Sequence, residues 1–155
     1  MLTISLLIHI LSSMLWIGGM IFFVIVIAPF LKTINDPGER SNIYQMVGKR
    51  FRFWGWIAII SLLVTGYSNI FLMGISLETL LSKEFYSSAF GRTLIIKLSL
   101  VTYIVISSLF HDFVFGPKAR HNALAGTIAR YIGRTNLVVA IFIVFSAVAL
   151  RLGGF

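Results

Sequence analysis

MLTISLLIHILSSMLWIGGMIFFVIVIAPFLK, residues 1–32, holds no charged side chain before Lys32 and a single imidazole, His9. A run of roughly 20 apolar residues already crosses a hydrocarbon core about 30 Å thick, so this stretch reads as a membrane-spanning helix over about 2–31. Pro29 bends or ends its last turn. No basic residue precedes the run, and it is about twice the length of a signal-peptide core, so it reads as a retained helix.

The rest of the chain repeats that composition. Of 155 residues, 58% are hydrophobic and 12% charged, which lies outside the balance of a soluble domain. The length accommodates four spans with short loops and no separate soluble domain. The expected fold is an all-α integral membrane protein, one four-transmembrane-helix bundle over 1–155 with spans near 2–31, 54–75, 93–115 and 131–152. NDPGER after the first span has turn chemistry from Asn35 through Gly38. Trp54 and Trp56 suit an interfacial belt. Between Ser76 and Arg92, Leu77, Leu80, Leu81, Phe85 and Phe90 alternate with Glu78, Lys83 and Glu84, the pattern of a short interfacial helix between spans 2 and 3.

The net charge of +8 comes from 13 Lys and Arg against 5 Asp and Glu. These cations lie between the apolar runs, a distribution of membrane topology and not of nucleic-acid binding. The first loop holds Lys32, Arg40, Lys49, Arg50 and Arg52, and the third holds Lys118, Arg120, Arg130 and Arg134. In the second loop Lys83 and Arg92 are offset by Glu78 and Glu84. Both termini are therefore expected outside, in the cell (inner) membrane, with lipid as the surrounding partner. With no cysteine, disulfides, thiolate metal sites and covalent haem attachment are excluded.

An ionisable group inside hydrocarbon is costly and marks a candidate site. The candidates are His9, Lys97 and His111, with Asp112, His121 and Arg151 nearer the surfaces. At about 1.5 Å per residue, His9 lies roughly 10 Å and Lys97 roughly 6 Å below their helix starts, both in the outer leaflet. His111 and His121 form a cytoplasmic-side layer. At about 100° per residue, Ser13, Trp16 and Met20 fall within about 40° of His9, flanked by Gly18 and Gly19, a surface suited to a large planar ligand. Neutral imidazole binds a metal through one ring nitrogen.

The plainer readings are structural. His9 can bond a hydroxyl such as Thr65 or Ser68 on another helix. Lys97 can snorkel to the outer surface. His111 beside Asp112 reads equally as a solvated helix end, and His121 as loop.

HILSSMLWIGGMIFFVIVIAP resembles the first helix of the copper-resistance D (CopD) membrane family, through His9, Trp16, Gly18, Gly19 and Pro29. RFWGWIAIISLLVTGYSNI resembles its second helix, with Thr65 and Gly66, and GRTLIIKLSLV its third, with Lys97. The helix plan is also similar to HemJ-type membrane protoporphyrinogen oxidases, whose corresponding His and Lys are associated with haem b. The chain departs from that type at Ile25, where Arg is expected.

The resemblance implies haem b, with His9 as axial ligand and Lys97 as second ligand or propionate partner; the inner-layer position of His111 and His121 suits them as further ligands or proton-exchanging groups. It implies electron transfer or a membrane oxidoreductase, with a quinone or redox partner. The CopD-like alternative is copper transport, with His9 and Met20 as ligands and Met73 assisting. A third reading is a haemless structural subunit, and the Gly-containing faces allow a homodimer.

Overall fold

The computed structural model describes residues 1–119 and 121–155. Arg120, one of the inner-loop cations counted above, lies outside them. The protein is all-α, and no strand forms among the described residues. Four helices are long and apolar enough to cross a membrane: α1 (Leu2–Lys32), α2 (Pro37–Leu72), α5 (Ala89–Lys118) and α6 (Ala123–Arg151). Two short helices, α3 (Leu77–Leu81) and α4 (Lys83–Ser87), stand between α2 and α5. Helices satisfy every main-chain donor and acceptor internally, which hydrocarbon demands. Their outward faces carry large apolar side chains such as Leu11, Leu15, Phe22, Ile60, Val64 and Phe145, the surface that meets lipid.

Local chemistry sets the helix ends. The Asn35–Gly38 segment expected as a turn instead starts α2: Asp36 accepts from the Gly38 and Glu39 N–H groups at 3.2 and 2.9 Å, with Pro37 in the first helical position. Asp-Pro-x-Glu is a helix-start signature, since the side chain satisfies orphan donors and proline has none to lose. The apolar stretch from Trp54 is thus the later half of a 36-residue helix about 54 Å long. The expected single interfacial helix is two, because Ser82 caps a new start by accepting from Phe85 N–H at 3.2 Å. Ser88 and Asn122 cap α5 and α6 in the same way.

The chain forms two compact units, Met1–Gly74 and Ile75–Phe155. Each contains one antiparallel pair of long helices, α1 with α2 and α5 with α6. Small buried residues let the backbones approach: Gly55 and Ala58 in the first pair, Ala125, Gly126, Ala129 and Ala140 in the second.

The leading helices of the two pairs share a device. Residues Phe23–Ile27 in α1 and Phe110–Phe115 in α5 are π-helical. Ala28 N–H bonds Phe23 O and Gly116 N–H bonds His111 O, each five residues back, immediately before Pro29 and Pro117. A proline ring collides with the carbonyl four residues back and offers no N–H, so the helix widens by one residue ahead of it. Counted from these prolines the pairs align: His9 and Lys97 each lie twenty residues upstream, Ser5 and Thr93 each twenty-four.

Candidate functional site

A polar seam runs between α1 and α2 inside the first unit. Ser5, His9 and Ser12 recur at helical spacing on α1, and Ser61, Thr65 and Asn69 on α2. Ser12 Oγ donates to Ser61 Oγ at 2.9 Å. One turn closer to the N-terminus of α1, His9 Nδ1 and Thr65 Oγ1 are 2.8 Å apart, and Thr65 Oγ1 is also 2.6 Å from the Ser61 carbonyl oxygen. A carbonyl only accepts, so the single Thr65 proton goes to Ser61. Nδ1 is then the donor to Thr65. Such a bond on the far ring nitrogen fixes the tautomer of metal-binding histidines.

Glycine and aromatic groups finish the seam. A Cβ on Gly66 would stand 3.3 Å from His9 Cε1, so the missing side chain gives the imidazole edge its place. Toward the C-terminal end of α1, Trp16, 7% exposed, lies against Gly55, its Cδ1 3.7 Å from where a Cβ would be. A Cβ on Gly19 would run into the Phe51 ring, which in turn belongs to an aromatic cluster with Phe23 and Tyr44.

The second unit has its own polar layer. Asn136 on α6, 5% exposed, accepts from Ser107 Oγ at 2.6 Å and donates to Ser108 Oγ at 3.2 Å, joining α6 to two neighbouring positions of α5. One turn further along α5, in the π segment, His111 Nδ1 lies 2.7 Å from Asp112 Oδ1, and its Nε2 is 3.8 Å from a Cβ built on Gly133. Thr93, fully buried, accepts a hydrogen bond from Phe155 N–H at 2.9 Å.

The expected site residues distribute as follows. His9 and Trp16 both face α2. Ser13 does not join the seam: its hydroxyl donates to Ile10 O of its own helix at 2.8 Å, and Ser12 makes the cross-helix bond. The contact line on α1 is displaced toward Ser5 and Ser12, which lie about 40–60° to one side of His9, whereas Ser13 and Met20 lie to the other. Met20 is half-buried on α1 and Lys97 half-buried on α5 of the second unit. His121 is exposed in the turn before α6. Sequence reading passed over Ser5, Ser12, Ser61, Asn69 and Asn136. Their signal was legible as hydroxyl and amide residues recurring at i, i+4 and i+7 or i+8 within apolar helices.

Among the described residues no three His, Cys, Asp or Glu side chains cluster as a ready metal cage. A porphyrin supplies four nitrogens itself, so haem asks the protein for one or two ligands and not for such a cage.

No protein-family model matches the chain, and no solved structure matches it. An uncharacterized protein of Aquifex aeolicus (strain VF5) is 32% identical over 146 residues, which cover 94% of this chain and 92% of that protein. The chain therefore belongs to one family with that Aquifex aeolicus protein.

Proposed function

We propose that the chain binds haem b within the membrane and serves electron transfer or oxidoreduction, as its resemblance to CopD-like and HemJ-type proteins implies. The observation that carries this reading is the hydrogen bond of His9 Nδ1 to Thr65, which fixes the orientation of the imidazole, as a bond on the far ring nitrogen does in metal-binding histidines. His9 would hold the haem iron. The resemblance implies Lys97 as a second ligand or as the partner of a propionate. Gly66 and Thr65 hold the imidazole against rotation, and Trp16 closes the seam on the inner side. Haem, when bound, supplies one-electron chemistry at a potential set by its ligands and by the apolar surroundings. The 2.7 Å contact of His111 with Asp112 supports His111 as a proton-exchanging group in this reading. A quinone or another redox protein is the electron partner, and the Gly-containing faces support a homodimer.

The cation-rich loops support an orientation with both termini outside the cell membrane. The test of the haem reading is the visible spectrum of the purified protein. A Soret band that shifts on reduction and vanishes in His9→Ala supports it; a colourless protein carrying stoichiometric copper establishes the CopD-like alternative instead.

A further inference from the structure

Two cations and a run of apolar side chains share one side of α2. At about 100° per residue, Lys49, Arg50, Phe53, Ile57, Ile60 and Val64 fall within about 50° of one direction, turned away from the buried Gly55 and Ala58. All six are exposed. Trp54, at the margin of this stripe, is 52% exposed and packs edge-on against Phe53, with ring centroids 5.6 Å apart. From Lys49 to Val64 the stripe passes from charge through an aromatic pair to aliphatic groups over about 22 Å, the depth of one leaflet of a bilayer about 40–45 Å thick.

The cations stand at the level of an apolar helix. Phe51 of α2 meets Gly19 of α1, so in the antiparallel pair Lys49 and Arg50 lie level with about Met20 and Ile21. From there α1 continues to Leu31, about 15 Å further, without a polar side chain, and its Phe22, Ile25 and Phe30 are exposed. Charges beside such a surface sit at the margin of hydrocarbon, where attraction to an anion is stronger than in bulk water.

No acid of the unit stands near them. Residues 1–35 and 40–74 contain no Asp or Glu, and Glu39 lies about 15 Å along the helix from Lys49. Counted from the prolines, Val24 of α1 occupies the place that Asp112 has in α5, so the leading helix of the second unit carries an acid where that of the first does not.

The chemistry of the partner follows. It carries negative charge at the level of Lys49 and Arg50, and guanidinium and ammonium groups both bind phosphate oxygens. It also carries an apolar part that runs along Phe53, Ile57 and Ile60. A soluble anion lacks that part, and a zwitterionic lipid brings its own ammonium to the same level.

We propose that this side of α2 binds a net-anionic phospholipid, its phosphate at Lys49 and Arg50, its acyl chains along Phe53, Ile57 and Ile60, and Trp54 at the level of its glycerol. The site goes beyond the haem reading and requires no metal at His9.

The test uses the full chain in phosphatidylcholine bilayers, into which phosphatidylglycerol or phosphatidylcholine brominated in the upper half of the acyl chains is titrated. The readout is quenching of Trp54 fluorescence, taken as the difference from a Trp54→Phe protein. Each cation near an anionic headgroup is worth about fivefold in affinity, so phosphatidylglycerol is preferred about tenfold at low salt and less as salt rises. Lys49→Gln and Arg50→Gln each lower the preference about three- to fivefold, whereas Lys118→Gln, which removes an equal charge elsewhere, leaves it. Arg50→Lys, which keeps the charge, retains most of it and serves as the second reading should Arg50→Gln fail to assemble. Equal quenching by the two lipids overturns the proposal. So does a Lys118→Gln loss as large as that of Arg50→Gln, which would mean surface charge in general, or removal of the preference by millimolar glycerol phosphate, which would mean a phosphate site without lipid. Colourless protein serves as well as coloured, so a missing Soret band leaves this result standing.

Discussion

Thr65 receives the Nδ1–H of His9 and passes its own proton to the carbonyl of Ser61, four residues earlier on the same helix. The imidazole is thereby tied to the α2 backbone through one hydroxyl. Thr65→Val keeps the volume and removes both bonds, leaving Nδ1–H unmatched in an apolar layer. Unfolding in detergent titration should show a loss of about 1–3 kcal/mol, largely restored by Thr65→Ser. If His9 is the haem ligand, Thr65→Val should also weaken haem retention about 10- to 100-fold, read as bleaching of the Soret band during dilution.

Gly19 and Gly66 should respond differently to alanine. At Gly19 the new methyl meets the Phe51 ring, which has to swing out of its cluster with Phe23 and Tyr44; Gly19→Ala is expected to destabilise by about 1–3 kcal/mol, with Phe51→Leu in the same chain recovering most of it. At Gly66 the contact is 3.3 Å from His9 Cε1, so Gly66→Ala displaces the imidazole by a few tenths of an ångström. Its signature is a changed His9 ring resonance by NMR with little change in melting temperature.

Asn136 clamps Ser107 and Ser108 across the second pair. Interhelical polar bonds in membranes average well below their vacuum strength, so Asn136→Leu should lower stability by only about 0.5–1.5 kcal/mol. Ser107 already has Ile104 O at 3.1 Å to turn to. A larger loss would mean that the layer holds more than two helices together.

A topology reporter checks the orientation drawn from the loop cations. A fusion after Phe155 should be active only in an extracytoplasmic assay, and one placed between Lys32 and Asp36 only in a cytoplasmic one.

Much of this architecture was legible in the sequence. The four apolar runs announce the helices, because hydrocarbon allows little else, and the likeness of His9 to a hydroxyl-bonded histidine was visible in Thr65. Two things were not. Asn35 through Gly38 reads as a turn since each of its residues favours turns, yet Asp-Pro-Gly-Glu in that order caps a helix, and only the following QMVGKRFRF run continuing as helix decides between them. The seam was misplaced by one residue, Ser13 for Ser12, because a wheel centred on His9 assumes that His9 points straight at its neighbour, whereas small residues on α2 draw the contact line to one side.

The widened turns before Pro29 and Pro117 give the chain two places where its length is negotiable. Each contains one residue more than an α-helix of the same reach, so dropping a single residue from Phe23–Ile27 or Phe110–Phe115 leaves His9 and Leu31, or Ser108 and Lys118, on the sides they already occupy. A deletion anywhere else in α1 rotates one end by about 100° against the other and parts His9 from Trp16 or Gly19. Relatives that differ in length within these helices should therefore differ there, and alignments forced to place the gap elsewhere will pair residues from opposite faces.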